Sequence, residues 1–230
     1  MIKTILIDLD DTIFDFQAAE HTALHTTLLA MGVTPTPTLL TQYSAINAAQ
    51  WRLLEQGKLT REQVLTRRFV LLFDACNIFA DVQAVAKQYE QNLEKMHFFL
   101  PGAKNALHTL AQTYRLFLVT NGSCAVQRRR LRDAKIDTLF TALFISEEIG
   151  AEKPSAAFFN HCFAQIPNFR KEDCILVGDS PSADIRGGNR AGLRTVWVNT
   201  RGATCGAEQP DATIASLAEL PALLDTLQKE

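Results

Sequence analysis

Two hydrophobic patterns divide the chain, and they predict two kinds of structure. Short apolar runs typical of buried strands occur near the N-terminus and again in the C-terminal part, at residues 5–8, 116–120, 142–146, 174–178 and 195–198. Amphipathic helical patterns accompany the later runs, at residues 103–112, 125–134, 155–164, 183–191 and 217–227. Strands that alternate with helices predict a parallel α/β sheet.

The segment from about residue 17 to residue 98 has a helical pattern with almost no strand signal. Its apolar spacing predicts four helices, which together suggest a small bundle. Short polar residues that accept hydrogen bonds from a first helical turn are predicted to cap the last three: Thr38, Thr60 in a capping box with Gln63, and Asp81. We therefore predict a core domain of residues 1–15 and 99–230 and an inserted helical cap of residues 16–98.

Composition narrows the possible partners and location. The chain has 230 residues, of which 47% are hydrophobic, so it can form a substantial core. The formal net charge of −2 gives no general attraction to nucleic acid polymers or acidic membranes. Five cysteines without CxxC pairing are typical of reduced packing residues, and no stretch suits a signal peptide or a membrane span. These features predict a cytoplasmic protein.

An acidic cluster follows the first predicted strand directly, in the sequence Asp8-Leu9-Asp10-Asp11-Thr12. Side chains alternate along a strand, so Asp8 and Asp10 can point the same way. Two ionised carboxylates side by side repel unless a cation or a proton lies between them. Bound Mg²⁺ would remove that cost, and one carboxylate could then act as a nucleophile. Asp11 also suits a simple role in capping the turn.

Polar residues follow three further predicted strands, where parallel sheets bind their ligands. They are Thr120-Asn121-Gly122, then Lys153-Pro154, and then Gly178-Asp179-Ser180 with Asp184. Pro154 suits the first turn of a helix, which would leave Lys153 at the helix start. A cation is unfavourable there, which indicates an anionic partner. The four sets supply acids that could bind a metal. They also supply a hydroxyl, backbone N–H groups and a lysine that could bind a phosphate.

The four motifs in this order resemble those of the haloacid dehalogenase-like hydrolase superfamily. The resemblance implies an α/β fold with a Rossmann-like parallel sheet core flanked by helices and an inserted α-helical bundle cap. It also implies that Asp8 forms an aspartyl-phosphate and that Asp10 protonates the leaving oxygen and then activates water. Thr120 and Lys153 would bind the phosphoryl group, together with Asn121 and Gly122. Mg²⁺ would be held by Asp8, the Asp10 backbone carbonyl and Asp179, with Asp184 as a ligand or a support.

Within that superfamily the chain is similar to pyrimidine 5′-nucleotidases of the YjjG type. Stretches that carry this similarity include Asp10-Asp11-Thr12-Ile13-Phe14, Leu100-Pro101-Gly102, Asn47 with Trp51, and Arg68-Phe69. The similarity implies that Asn47, Trp51 and Arg68 contact a small phosphorylated metabolite. The same residue types are also typical of a solvated helix face or of packing. The sequence leaves monomer and dimer equally open.

Several functions remain as alternatives. A sugar-phosphate phosphatase would share the whole catalytic core. A dehalogenase has no need of the proton donor Asp10, and a phosphonate hydrolase would need a distinctive cap lysine. A phospho-acceptor signalling module would store phosphate on an aspartate, but Asp10 would hasten its loss. A catalytically silent scaffold would not need this complete set of acids.

Overall fold

A six-stranded parallel sheet forms the centre of the α/β part of the protein, and it confirms the predicted fold class. The computed structural model describes residues 1–227. The spatial order of the strands is β3-β2-β1-β4-β5-β6, and every neighbouring pair is parallel. The strands are β1 (Thr4–Ile7), β2 (Arg115–Thr120), β3 (Ala142–Ile145), β4 (Cys174–Gly178), β5 (Arg194–Val198) and β6 (Ala212–Ile214). Strand β6 was not predicted, because its three residues contain no apolar run.

Ten α-helices lie among the described residues, and none of them is long and apolar enough to cross a membrane. They are α1 (Phe16–Ala30), α2 (Pro37–Glu55), α3 (Arg61–Cys76), α4 (Val82–Leu93), α5 (Ala103–Ala111), α6 (Cys124–Ala134), α7 (Ser146–Ile149), α8 (Ala156–Gln165), α9 (Arg186–Ala191) and α10 (Leu220–Leu227). A single π-helical turn, Pro181–Ile185, precedes α9. The start of the helix predicted over residues 183–191 was therefore wrong. Residues 183–185 belong to the π-helical turn, and the α-helix begins at Arg186.

The chain folds as two compact units. One unit contains residues 1–15, 99–124 and 134–230, and it holds the sheet. The other contains residues 16–98 together with residues 125–133 of α6. Val126 of α6 packs in the apolar core of the helical unit, which explains why this helix groups there. The functional division into a catalytic core and a cap stays a prediction.

Strand β1 lies at the centre of the sheet, and all four of its residues are buried. It pairs with β2 on one side and with β4 on the other, in register from Thr4 to Ile7. Since all strands run in the same direction, residues that follow β1, β2 and β4 meet at one edge of the sheet. That edge is where open parallel sheets bind ligands.

The helical unit packs around an aromatic cluster. The rings of Tyr43, Phe69 and Tyr89, from α2, α3 and α4, lie with their centroids 5.2–5.5 Å apart. The predicted capping box of α3 is confirmed, because Gln63 N donates to Thr60 Oγ1 over 3.3 Å and Thr60 N donates to Gln63 Oε1 over 2.8 Å. Asp81 caps α4 as predicted.

The prediction that Thr38 caps the second helix was wrong. Thr36 is the cap, and its hydroxyl accepts a hydrogen bond from Leu39 N over 3.3 Å. Pro37 occupies the first helical position. Proline is favoured there because its fixed φ suits a helix and its missing N–H needs no partner. The proline therefore marked the helix start more accurately than the threonine that follows it.

Candidate active site

A buried lysine joins two carboxylates at the carboxyl edge of the sheet. Lys153 Nζ donates to Asp8 Oδ1 and to Asp184 Oδ1, each over 2.7 Å, and to the carbonyl of Val119 over 2.9 Å. The exposed fraction of the lysine side chain is only 2%. All three of its N–H groups therefore have partners, as a buried ammonium requires. Residues from three separate motifs meet at this one group.

The position of Lys153 corrects the prediction that Pro154 lies in the first turn of a helix. Helix α8 begins at Ala156, and Ser155 caps it by accepting a hydrogen bond from Phe158 N over 3.3 Å. Lys153 thus lies in the loop before the helix and not at its first turn. The anionic partners indicated by the sequence are present as the carboxylates of Asp8 and Asp184.

Asn121 holds the backbone of this lysine. Its side-chain amide donates to Lys153 O and accepts from Lys153 N, each over 2.9 Å. In the same loop the hydroxyl of Thr120 accepts a hydrogen bond from Gly122 N over 3.2 Å. These hydrogen bonds therefore stabilise the loop after β2 internally and connect it to the loop that contains Lys153. The predicted contacts of these three residues with substrate stay predictions.

Three carboxylates converge beside the lysine. Asp8, Asp179 and Asp184 offer oxygen atoms that all lie within 4.8 Å of one another. Asp8 is placed by its backbone, because its N–H extends the ladder to β4 by donating to Val177 O over 2.9 Å. The Asp10 side chain does not belong to this cluster, and its predicted metal contact was through the backbone carbonyl.

The electrostatics of the cluster are unfavourable without a further cation. Burial raises the pKa of Asp8 to about 7, against the opposing effect of Lys153. Desolvation and the charge of Asp8 raise the pKa of Asp179 well above its usual range. For Lys153, burial alone would lower the pKa, but Asp184 and Asp8 outweigh it and raise the value. The carboxylates are thus crowded and the lysine is firmly charged.

These residues fit a divalent cation. With all three carboxylates ionised, the single ammonium would leave two negative charges uncompensated, which one divalent ion would balance. Clustered carboxylate oxygens are the ligands that Mg²⁺ prefers in proteins. Asp8, Asp179 and Asp184 are the residues that could hold it.

Asp184 is fixed more tightly than the sequence could indicate. Its Oδ2 accepts a hydrogen bond from Ser180 N over 3.0 Å, while its Oδ1 is bound to Lys153. Gly178 leaves the space for this carboxyl group, since a Cβ on Gly178 would lie 2.3 Å from Asp184 Cγ. The glycine at the end of β4 therefore has a specific function in packing the acid.

Asp11 occupies the turn after β1 with a left-handed backbone, at φ 58°. Its N–H donates to Phe14 O over 2.7 Å, which closes the turn, and the predicted role of its side chain in capping that turn stays a prediction. Its carboxylate also accepts a hydrogen bond from Arg201 Nη2 over 3.0 Å. Arg201 was not predicted, because it lies in a polar loop far along the chain with no motif of its own.

Two of the predicted substrate contacts lie in a buried polar network within the helical unit. Asn47 donates to Glu20 Oε1 over 2.7 Å and accepts from Arg68 Nη1 over 3.2 Å. Arg68 also donates to Glu90 Oε1 over 2.6 Å, and its guanidinium lies 4.8 Å from the centroid of the Tyr89 ring. The exposed fraction of Arg68 is 1%, whereas that of the Glu90 side chain is 22%, and the predicted contacts of Asn47 and Arg68 with substrate stay predictions.

Glu20 is the member of this network that sequence analysis missed. Ser44 Oγ donates to its second carboxylate oxygen. Burial raises the pKa of Glu20, and the hydrogen bonds from Ser44 and Asn47 oppose that effect. The signal was available, because Glu20 precedes Leu24 and Leu28 at intervals of four residues on the apolar face of α1. A charged residue on such a face needs buried partners.

Trp51, the third predicted contact, is only partly buried. The guanidinium of Arg61 lies 5.6 Å from its ring centroid. Such a distance is within the range of a cation–π interaction. The contact stays within the helical unit, and the predicted role of Trp51 in binding substrate stays a prediction.

The chain belongs to the haloacid dehalogenase-like hydrolase family, whose model matches residues 5–198. This confirms the family predicted from the four motifs.

Three relatives are similar to the chain over most of its length. The chain is 31% identical to the pyrimidine 5′-nucleotidase YjjG of Escherichia coli over 225 residues, or 96% of each chain. It is 37% identical to the pyrimidine 5′-nucleotidase PynA of Streptococcus pneumoniae over 198 residues, covering 86% of this chain and 84% of PynA. A crystal structure of the HAD-hydrolase YfnB of Bacillus subtilis, bound to magnesium, superposes with a TM-score of 0.93 at 38% identity, over 97% of this chain and 99% of YfnB.

Proposed function

We propose that this protein is a Mg²⁺-dependent phosphomonoesterase that hydrolyses pyrimidine nucleoside 5′-monophosphates through an aspartyl-phosphate on Asp8. The observation that carries the proposal is the buried Lys153 bridging Asp8 and Asp184, with Asp179 alongside. The similarity to YjjG and PynA, both named as pyrimidine 5′-nucleotidases, supports the substrate class.

The first step needs a carboxylate that is held in place and kept ionised. Lys153 holds Asp8 through Oδ1 and favours its charged form. A carboxylate oxygen of Asp8 attacks phosphorus in line with the leaving oxygen, and the ester bond breaks. Asp10 gives its proton to the leaving 5′-oxygen, so the nucleoside departs with a free hydroxyl. Bound Mg²⁺ would neutralise charge on the phosphoryl oxygens during this transfer.

The second step returns the enzyme to its starting state. Asp10, now ionised, takes a proton from water, which attacks phosphorus and releases inorganic phosphate from Asp8. The Thr120 hydroxyl and the N–H groups of the loop after β2 are suited to hold the phosphoryl oxygens. Asp10 thus serves as acid and then as base, which a carbon–halogen cleavage would not require.

Charge balance explains why a phosphate should enter this site. With a divalent ion bound, the three carboxylates and Lys153 would sum to no net charge. Lys153 and the ion would then face the phosphate dianion without the repulsion that the acids alone would impose. The metal and the substrate are therefore expected to bind cooperatively.

A direct test is phosphate release from UMP, dUMP, dTMP and a panel of sugar phosphates, with Mg²⁺ or with EDTA. The proposal expects Mg²⁺-dependent release that is strongest with the pyrimidine nucleotides and is lost in Asp8→Asn. Preference for sugar phosphates would keep the chemistry and overturn the substrate class. A long-lived phosphorylated protein with no turnover would support a signalling module instead.

A further inference from the structure

One peptide group in the site is held at both ends by side chains. It is the peptide that joins Asp179 to Ser180. The indole N–H of Trp197 donates to its carbonyl oxygen, Asp179 O, over 2.8 Å. Its N–H, which belongs to Ser180, donates to Asp184 Oδ2 over 3.0 Å. The plane of this peptide is therefore fixed from two directions.

The orientation of that peptide plane affects the direction of the Asp179 side chain. The dihedral angle ψ of Asp179 relates the direction of its Cα–Cβ bond to this plane, so holding the plane constrains the backbone that carries the carboxylate. Asp179 lies just beyond β4, where ladder hydrogen bonds no longer fix the chain. Two side-chain hydrogen bonds replace the ladder at this point.

Trp197 is well placed to act as a rigid support. It lies on β5, where its Cα is the register partner of Gly178, the residue before Asp179. Its exposed fraction is 6%, and its hydrogen bond to Asp179 O is partly buried. In the sequence, Trp197 is part of the apolar run at residues 195–198 and carries no motif. The indole N–H is the feature of this side chain that apolar packing does not require.

We propose that Trp197 is a positioning residue for Asp179, and that its hydrogen bond to Asp179 O orients the Asp179 carboxylate for Mg²⁺. This inference rests on the proposed metal site. It extends the site from the acids to a residue on the neighbouring strand β5, whose hydrogen bond is to the backbone of one acid. Residues that orient metal ligands through hydrogen bonds typically change metal affinity by tenfold or more when removed.

The first experiment measures Mg²⁺ affinity without reference to activity. Isothermal titration of Trp197→Phe with MgCl₂ should give a dissociation constant at least tenfold weaker than that of the unmodified protein. Phenylalanine keeps an aromatic ring and removes the N–H donor. Trp51→Phe is the matched control, and its Mg²⁺ dissociation constant should be unchanged.

A second control separates orientation from general loosening of the sheet. Val198→Ala removes buried volume from the same strand and leaves the indole bond intact. It should lower the melting temperature without changing the Mg²⁺ dissociation constant by more than about twofold. If Val198→Ala weakens Mg²⁺ binding as much as Trp197→Phe does, or if Trp197→Phe binds Mg²⁺ normally, the positioning role is wrong.

A measurement on the unmodified chain covers the case in which Trp197→Phe does not fold. If the indole bond favours Mg²⁺ binding, Mg²⁺ must strengthen the indole bond by the same free energy. In ¹⁵N NMR spectra, hydrogen exchange of the Trp197 indole N–H should therefore slow when MgCl₂ is added, while that of Trp51 does not change. Equal exchange with and without bound Mg²⁺ would overturn the inference. Absence of any Mg²⁺ binding to the unmodified chain would instead overturn the proposed metal site on which it rests.

Discussion

Lys153 Nζ lies 2.7 Å from Asp8 Oδ1, although 145 residues separate the two in the sequence. The same ammonium contacts Asp184 at an equal distance, so one positive charge is shared between two carboxylates. Both partners are buried, and removing one of them would leave the other uncompensated in a medium of low polarity. The ion pair of Lys153 and Asp8 therefore contributes both to the stability of the site and to its proposed chemistry.

Replacing this lysine should affect both properties. We expect Lys153→Met to lower phosphate release by at least about 100-fold and to lower the free energy of unfolding by about 3–5 kcal/mol in metal-free buffer, as is typical when one partner of a buried ion pair is removed. Denaturant unfolding and phosphate-release assays measure the two effects. Lys58→Met, at an exposed lysine of the helical unit, is the matched control. Equal stability of the two variants would contradict the structural part of this prediction.

The raised pKa of Glu20 predicts a pH-dependent stability. Because burial raises this pKa above its unfolded value of 4.5, the stability that Glu20 contributes is fully present below that value. It is lost as pH rises through the pKa in the folded state. Glu20→Gln does not titrate, so its melting temperature relative to the unmodified protein should increase from pH 4 to pH 8.

Thermal unfolding of both proteins across this range, in one ionic strength, gives the comparison. Glu62→Gln on the exposed first turn of α3 serves as a control and should show no such trend, because Glu62 is exposed. A difference between Glu20→Gln and the unmodified protein that stays constant with pH would show that Glu20 titrates normally in the folded state.

Substitution of Asn47 can decide whether the polar network also selects substrate. If Asn47 only supports the network of Glu20 and Arg68, Asn47→Ala should lower kcat/KM for dUMP and for a sugar phosphate by the same factor. If Asn47 contacts the nucleoside, the ratio of the two kcat/KM values should fall by about tenfold, which corresponds to a free-energy difference of about 1.4 kcal/mol.

This ratio is insensitive to the fraction of folded enzyme, since both substrates meet the same population. We expect the ratio to fall, in line with the resemblance that first indicated Asn47. An unchanged ratio together with a lowered melting temperature would assign Asn47 to the network alone.

Gly178 should not tolerate a side chain. In Gly178→Ala the new Cβ would lie 2.3 Å from Asp184 Cγ and Oδ2, so the carboxyl group must move away from Lys153 and Ser180. We expect Mg²⁺ affinity to fall by about tenfold or more and stability to fall by about 1–3 kcal/mol. Calorimetric titration and denaturant unfolding measure these changes.

Gly32→Ala provides a control that strains only the backbone. Gly32 has φ 74°, and no heavy atom lies within 4 Å of a Cβ built on it. Gly32→Ala should lower the free energy of unfolding by about 1–2 kcal/mol, as for other L-residues in the left-handed region. It should leave the Mg²⁺ dissociation constant unchanged. Equal Mg²⁺ affinity in Gly178→Ala and Gly32→Ala would contradict the packing argument.

Local patterns in the sequence were sufficient for the parallel α/β class, the helical insertion and the motifs that directly follow β1, β2 and β4, whereas α7 separates Lys153 from β3. The hydrophobic period of a helix or strand and the residues that cap a helix can be identified from residues that are neighbours in the sequence. Acids that follow an apolar run can be identified in the same way. For the same reason, the errors occurred where two local signals competed, as at Thr36 and Thr38, or where a proline lies in a loop and not in a helix, as at Pro154.

Tertiary structure alone decided which distant groups meet. No spacing in the sequence links Trp197 to the carbonyl of Asp179, Arg201 to Asp11, or Glu20 to Asn47. These partnerships depend on strand order and helix packing, which bring together residues up to 190 positions apart. The sequence determined which chemical groups are available at the sheet edge, and the fold determined which of them share charge, because hydrogen bonds and Coulomb interactions act through space and not along the chain.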